Sequence, residues 1–277
     1  MFYGCMEQIN SKYLIYPKQK TTDSAATKLK LFYTNDWHGQ TDNIGGILGG
    51  SLQFDSSTKG QKIDTLKLAA GDTWSGANIK KNNFILNLMN YMGFDACAIG
   101  NHELDAGTKA MLDTVSNSSK TKFISANLKT TQGEQLKGVE TSFIKEENGN
   151  KYGIIGLSPL DLKTVVLPER ISDINVQNFE QTVKSTQIEI DKMKAQGVNK
   201  IIILSHIGKD MDEKLARALD GVDIIVGGHS HDKIEDIKEG ESLVRSKSGE
   251  PVVILQTGQN AENYGILNAE FDINGIL

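Results

Sequence analysis

The amino-acid sequence predicts an α/β fold built around a largely parallel sheet, and three observations lead there. Short apolar runs with strand character alternate with amphipathic helical patterns along most of the chain. Polar residues able to bind metals or move protons sit just beyond the ends of those runs, where open α/β sheets place their ligand sites. The length of 277 residues, with 38% hydrophobic and 23% charged residues, suits one large domain with an ample core.

Residues 1–27 read as a polar tail and residues 28–277 as the domain. Strand-like runs recur at 28–34, 65–70, 96–99, 123–126, 152–157, 201–204 and 222–226. Between them, residues 83–92 carry Phe84, Ile85, Leu88, Met89 and Met92 at helical spacing, closed by Gly93. Residues 179–195 read as another helix. Asn178 is its candidate N-cap, Phe179, Val183, Ile190 and Met193 share one face, and Gly197 stops it. Alternating strands and helices imply βαβ crossovers and hence parallel neighbours. Residues 251–256 and 264–273 look like consecutive strands across a Gly/Asn turn, so an antiparallel pair is expected there.

Bulk properties exclude several function classes. No apolar stretch approaches the ~20 residues of a membrane helix. A formal charge of -5, without basic clusters, argues against a nucleic-acid polymer as partner. A small anion held through a metal stays compatible, because bound cations dominate the local field. The two cysteines, Cys5 and Cys97, lie far apart in different contexts, and Cys97 reads as a buried small hydrophobe rather than part of a disulfide framework. The first 26 residues lack the apolar core of a secretory signal, although Gly4-Cys5 faintly resembles the end of a lipoprotein signal. The compartment is therefore open, with the cytoplasm as the default.

All five histidines, His38, His102, His206, His229 and His231, fall in short segments that directly follow strand-like runs, together with Asp36, Asp72 and Asn101. Taken singly, each segment has an ordinary structural alternative. Asp36 and Asp72 suit turn capping, Asn101 suits a helix cap, and a His after a strand is usually a satisfied polar group. Their coincidence in order carries the functional reading. Imidazole and oxygen donors without thiolate suit divalent zinc, manganese or iron. The donors are too many for one tetrahedral ion, so a two-metal hydrolytic centre is expected. His102 stands beside Asn101 and suits a proton donor. Asp105, three residues on, can take its other ring N–H.

In this order, D-x-H, G-D, G-N-H-E, S-H and G-G-H-S-H resemble the metallophosphoesterase (calcineurin-like) superfamily. More narrowly, residues 33–39 (YTNDWHG), 70–73 (AGDT), 100–105 (GNHELD), 155–157 (IGL) and 227–231 (GGHSH) resemble the N-terminal catalytic domain of the 5'-nucleotidase/2',3'-cyclic phosphodiesterase family. The resemblance spans residues 28–275 and implies a four-layer αββα sandwich of mixed sheets around two divalent metal ions (Mn, Zn, Fe or Co). It implies that Asp36, His38, Asp72 and His231 hold one ion and Asp72, Asn101, His206 and His229 the other, with Asp72 bridging. His102 matches the family's catalytic histidine and Asp105 its orienting partner. The implied function is hydrolysis of small phosphate esters, nucleotides included. The alternatives are a 2',3'-cyclic nucleotide phosphodiesterase and a catalytically idle metal-binding module. Trp37 stands where many relatives carry an aliphatic residue. The stretch after His231 has room for closing strands only, so no C-terminal nucleotide-specificity domain is expected.

Overall fold

The computed structural model describes residues 8–11 and 27–277. Two six-stranded sheets stack face to face. The first runs β1 (Gln8–Ser11), β14 (Tyr264–Phe271), β2 (Thr27–Thr34), β3 (Asp64–Ala69), β4 (Ala96–Ala98) and β5 (Lys122–Ile124) from edge to edge. The second runs β12 (Leu243–Arg245), β13 (Pro251–Leu255), β11 (Ile224–Val226), β10 (Ile201–Ser205), β8 (Asn150–Leu157) and β7 (Ser142–Glu147). A two-stranded ribbon, β6 (Leu128–Thr130) with β9 (Ile174–Val176), lies beside them. Helices α1 (Ile44–Thr58), α2 (Ile79–Met92) and α3 (Thr108–Val115) belong to the first sheet's connections. The short α4 (Leu162–Val165), α5 (Phe179–Lys194) and α6 (Lys209–Ala218) belong to the second's.

The period of two along the strands builds the layers. In β2, Leu29, Leu31 and Tyr33 enter the space between the sheets, while Phe32 joins the core under the helices with Ile47, Phe54, Ile85 and Met89. In β10, Ile202 and Leu204 face the first sheet, and Ile201 and Ile203 pack with Ile190, Met193 and Leu215 of α5 and α6. Both faces of each central strand are buried. That is why these strands read as unbroken apolar runs such as Ile-Ile-Ile-Leu. The result is the expected four-layer sandwich, with mixed sheets because β14, β12 and β7 run antiparallel to their neighbours β2, β13 and β8.

The expected antiparallel pairing of the last two strands is corrected. β13 lies parallel to β11 in the second sheet, and β14 antiparallel to β2 in the first. Each has a buried face to cover in its own sheet, so the intervening residues 256–263 cross between the sheets instead of turning a hairpin. Asn35 holds this strap. Its Oδ1 accepts from the Thr257 N–H and Oγ1–H at 2.8 and 2.7 Å, and its Nδ2 donates to the Gly258 carbonyl at 2.8 Å.

Gln8–Ser11, within the segment read as a polar tail, pairs parallel with β14. Residues 1–7 and 12–26, Gly4 and Cys5 among them, lie outside the described residues. Among the described residues no helix is long and apolar enough to cross a membrane. Helix α5 begins at its expected cap, with Asn178 and Gln181 forming a reciprocal capping box. Helix α2 begins earlier than expected because the Asn78 side chain accepts from the Lys81 N–H at 3.2 Å, and it ends at the left-handed Gly93.

Candidate metal centre

The loops after β2 and β3 continue the pairing of their strands. Asp36, His38 and Gly39 donate their N–H groups to the carbonyls of Gly71, Asp72 and Thr73 at 3.0, 2.9 and 3.1 Å. This extension carries Asp36, His38 and Asp72 to one end of the first sheet. His206 follows β10, and His229 and His231 follow β11, at the facing end of the second. Asp36, His38, Asp72, His229 and His231 all have left-handed backbones, with φ of 51°, 50°, 51°, 77° and 60°. Such conformations cost non-glycine residues about 1–3 kcal/mol each and collect where function requires a particular side-chain direction.

The side chains converge. Asp36 Oδ1 lies 3.5 Å from His38 Nε2, 3.7 Å from His206 Nε2 and 3.3 Å from His231 Nε2. Asp72 Oδ2 lies 3.0 Å from His206 Nε2 and 3.7 Å from His38 Nε2, so it faces donors from both sheets. His229 stacks obliquely near His206, ring centroids 5.2 Å apart, and its N–H donates to Asp36 Oδ2 at 3.0 Å. Asn101, in the loop after β4, is buried, and its Oδ1 has no hydrogen-bond partner. His102 donates its backbone N–H to Asp72 Oδ1 at 2.8 Å and stands 5.0 Å, ring to ring, from His38. Its Nδ1 lies 2.8 Å from Asp105 Oδ2.

The electrostatics call for added positive charge. Asp36 and Asp72 are almost fully buried carboxylates. Burial alone would raise them, but His206 together with the other facing histidines outweighs it. Asp36 falls to about 2, and Asp72 lies far below the usual carboxylate range. Reciprocally, burial would lower His38 and His206, but the two carboxylates push each up to about 10. Asp36 Oδ1, His38 Nε2, Asn101 Oδ1 and His206 Nε2 are buried without hydrogen-bond partners, although such atoms are normally satisfied. Imidazole, carboxylate and amide donors that meet in this way fit a divalent cation, which would take the place of the protons that the raised imidazoles otherwise hold.

The outer contacts set which nitrogen is free. His206 Nδ1–H donates to the Ala70 carbonyl at 2.5 Å, leaving Nε2 toward Asp72. His38 Nδ1–H donates to Asn260 Oδ1 at 3.2 Å, leaving its own Nε2 toward the carboxylates. Gly228 is required behind this set, since a Cβ there would lie 2.8 Å from His206 Nδ1 and 2.9 Å from Asp36 Oδ2.

Sequence reasoning missed Glu103, Asn260 and Asn35. Glu103 is buried and takes the N–H groups of Asp72, Thr73 and Gly100, each at 2.8 Å, tying the loop of Asp72 to the loop of Asn101. Burial first, then Asp72, push its carboxyl up to about 7. Its adjacency to His102 was the available signal. Asn260 and Asn35 gave none, because their contacts span more than 200 residues of chain. Trp37 is fully buried, donates Nε1–H to Thr34 Oγ1 at 2.7 Å and meets Phe94 edge-on, so it acts in packing beneath the loop.

Residues 29–233 match the model of the calcineurin-like phosphoesterases. The chain belongs to that family. This calcineurin-like phosphoesterase is 31% identical to the 5'-nucleotidase of Mus musculus over 91% of its own length and 48% of the mouse protein. It is 27% identical to the trifunctional nucleotide phosphoesterase protein YfkN of Bacillus subtilis, over 97% of its length and 20% of that protein. Among solved structures, the 5'-nucleotidase precursor of Thermus thermophilus superposes with a TM-score of 0.76 at 27% identity, covering 90% of this chain and 53% of that one. The chain spans about half the length of the mammalian 5'-nucleotidases it matches. A calcineurin-like phosphoesterase works with divalent metal ions, and the donor set described above fits them.

Proposed function

We propose that this chain hydrolyses small phosphate esters, nucleotides among them, at a centre of two divalent ions. Asp36, His38, Asp72 and His231 hold one ion, and Asp72, Asn101, His206 and His229 the other. The observation that carries the reading is the convergence of buried, unpartnered donor atoms on Asp36, His38, Asn101 and His206. The similarity to nucleotide-processing relatives supports nucleotides as a substrate class.

Two divalent ions supply Lewis-acid polarisation of the phosphoryl oxygens and activation of the attacking water. The chain's own residues do the rest. Asp105 accepts His102 Nδ1–H at 2.8 Å, and its same oxygen accepts the Gly76 N–H at 2.6 Å, so the dyad is anchored to the loop after β3. The bond to Asp105 raises His102 above its ordinary value against the opposing effect of burial, favouring the doubly protonated ring with a proton on Nε2. As water attacks phosphorus and the ester P–O bond breaks, His102 Nε2 delivers that proton to the leaving oxygen. Asp72 binds the backbone of His102 and so sets the distance between the proton donor and the centre.

The test is a panel of phosphomonoesters and cyclic diesters across Mn2+, Zn2+, Co2+ and Fe2+, with metal content measured on the same sample. The expected outcome is phosphoester turnover that chelation abolishes and a divalent ion restores. Turnover unaffected by exhaustive chelation, in protein free of metal, overturns the proposal. Two bound ions without turnover of any ester would identify the idle module instead.

A further inference from the structure

We infer that Asp161 is a positioning residue for His229, fixing which ring nitrogen of His229 is presented to the metal centre. It rests on the reading above, in which His229 is a donor. Asp161 follows β8 and opens α4. Its backbone carbonyl accepts the Thr164 N–H at 2.7 Å and the Thr164 Oγ1–H at 2.8 Å, and the adjacent Leu162 is buried. The backbone is thereby fixed, yet the side chain makes no capping bond to its own helix. Both carboxylate oxygens point at His229 instead, 3.1 and 3.3 Å from Nε2.

A carboxylate accepts and does not donate near neutral pH, so Nε2 of His229 carries the proton and Nδ1 keeps the lone pair. The ring packs near His206, and the backbone of His229 is fixed by its main-chain N–H bond to Asp36 Oδ2. The other tautomer would place the Nε2 lone pair against the carboxylate, and turning the ring over would put Cε1 there, so the contact selects one tautomer and one orientation. The partner also differs in kind from those of His206 and His38. Their second nitrogens meet neutral oxygens, of Ala70 and Asn260, whereas His229 meets a charged one. An outer carboxylate raises the donor strength of a ligating imidazole, and removing such a partner typically costs 10–100-fold in metal affinity.

The experiment uses the full chain stripped with a chelator and titrated with Mn2+ in free-metal buffers. Bound metal is followed by calorimetry and by elemental analysis after equilibrium dialysis. The variants are Asp161→Ala, Asp161→Asn and, as the control for the donor itself, His229→Ala. Asp161→Ala is expected to weaken one of the two ions by about 10–100-fold and leave the other unchanged. Asp161→Asn should fall between Ala and the parent, since its amide oxygen still accepts the Nε2–H without the charge. The unfolding temperature in chelator should not move for either.

Parent-like affinities for both ions in Asp161→Ala, combined with loss of one ion in His229→Ala, overturn the inference and leave the functional reading standing. Two ions still held normally by His229→Ala overturn the donor assignment itself. A lowered unfolding temperature of Asp161→Ala in chelator, with both ions weakened alike, identifies a structural role and overturns the inference too.

Discussion

At the scale of single residues, His102 and Glu103 are neighbours with opposite jobs. His102 is held from behind by Asp105, bonds Asp72 through its backbone N–H and stands ring to ring with His38 at 5.0 Å, beside the candidate centre rather than among the donors assigned to it. His102→Ala is therefore expected to lower turnover about 10²–10⁴-fold while metal content, measured by elemental analysis, stays at the parent level. The loss should shrink for esters of acidic phenols, whose leaving oxygens need little protonation. Equal losses for good and poor leaving groups would assign His102 to holding the phosphate. Glu103 points inward, and its carboxylate is the shared acceptor of three loop N–H groups. Glu103→Ala leaves those donors buried and unpaired at about 1–3 kcal/mol each. A clear drop in unfolding temperature, together with reduced metal content, is the expected result. An unchanged unfolding temperature would show that the two loops hold their places without it.

At the scale of elements, α6 and α1 give contrasting tests. Asp212 of α6 is buried against Ser205, whose Oγ donates to Asp212 Oδ1, and burial pushes the Asp212 carboxyl up to about 8 from an ordinary value of 3.8. Between those two pH values the folded protein keeps a proton that the unfolded chain releases, so this residue's contribution to stability falls as pH rises from 3.8 through about 8. Asp212→Asn removes the titration. It should unfold at a higher temperature than the parent at pH 8 in chelator, with the gap closing toward pH 4. A gap independent of pH would contradict the assignment.

Helix α1 carries Gly50 against the Tyr264 ring, where an added Cβ would lie 2.5 Å from two ring carbons. Gly50→Ala should destabilise by about 1–3 kcal/mol through overpacking, although alanine is the better helix former. That helix was invisible in the sequence because Gly45, Gly46, Gly49 and Gly50 mask its periodicity. The helix at Phe179–Lys194 was legible because its cap and stop signals are local, in Asn178, Gln181 and Gly197. The candidate donors were legible for a similar reason, since each follows its own strand end. The strap at 256–263 and its Asn260 were not, because the choice between a hairpin and a crossing depends on which sheet each strand completes.

At the scale of the whole molecule, the candidate centre sits where the two sheets meet, with the proposed donors Asp36, His38, Asp72 and Asn101 from one side and His206, His229 and His231 from the other. Ions bound there should raise the unfolding temperature reversibly, each adding about 2.7 kcal/mol of stability at a hundredfold excess over its Kd. Calorimetric scans with Mn2+, then with excess chelator, check this, and an unfolding temperature indifferent to both would place the ions outside the folded core.

The same arrangement has a consequence for how the protein comes into being. Asp36 meets the N–H of His229 across 193 residues of chain, and the Ala70 carbonyl meets His206 across 136. Contacts of such long sequence separation form only after large loops have closed, which places them late in folding. During synthesis the four proposed donors of the first sheet emerge well before any of the second sheet's histidines. A growing chain therefore passes through a long interval in which it can offer an ion only part of a coordination shell. On the proposed assignment, tight loading belongs to the finished sandwich. In refolding experiments Mn2+ added at the start should leave the early rate untouched and act only on the final, sheet-docking phase.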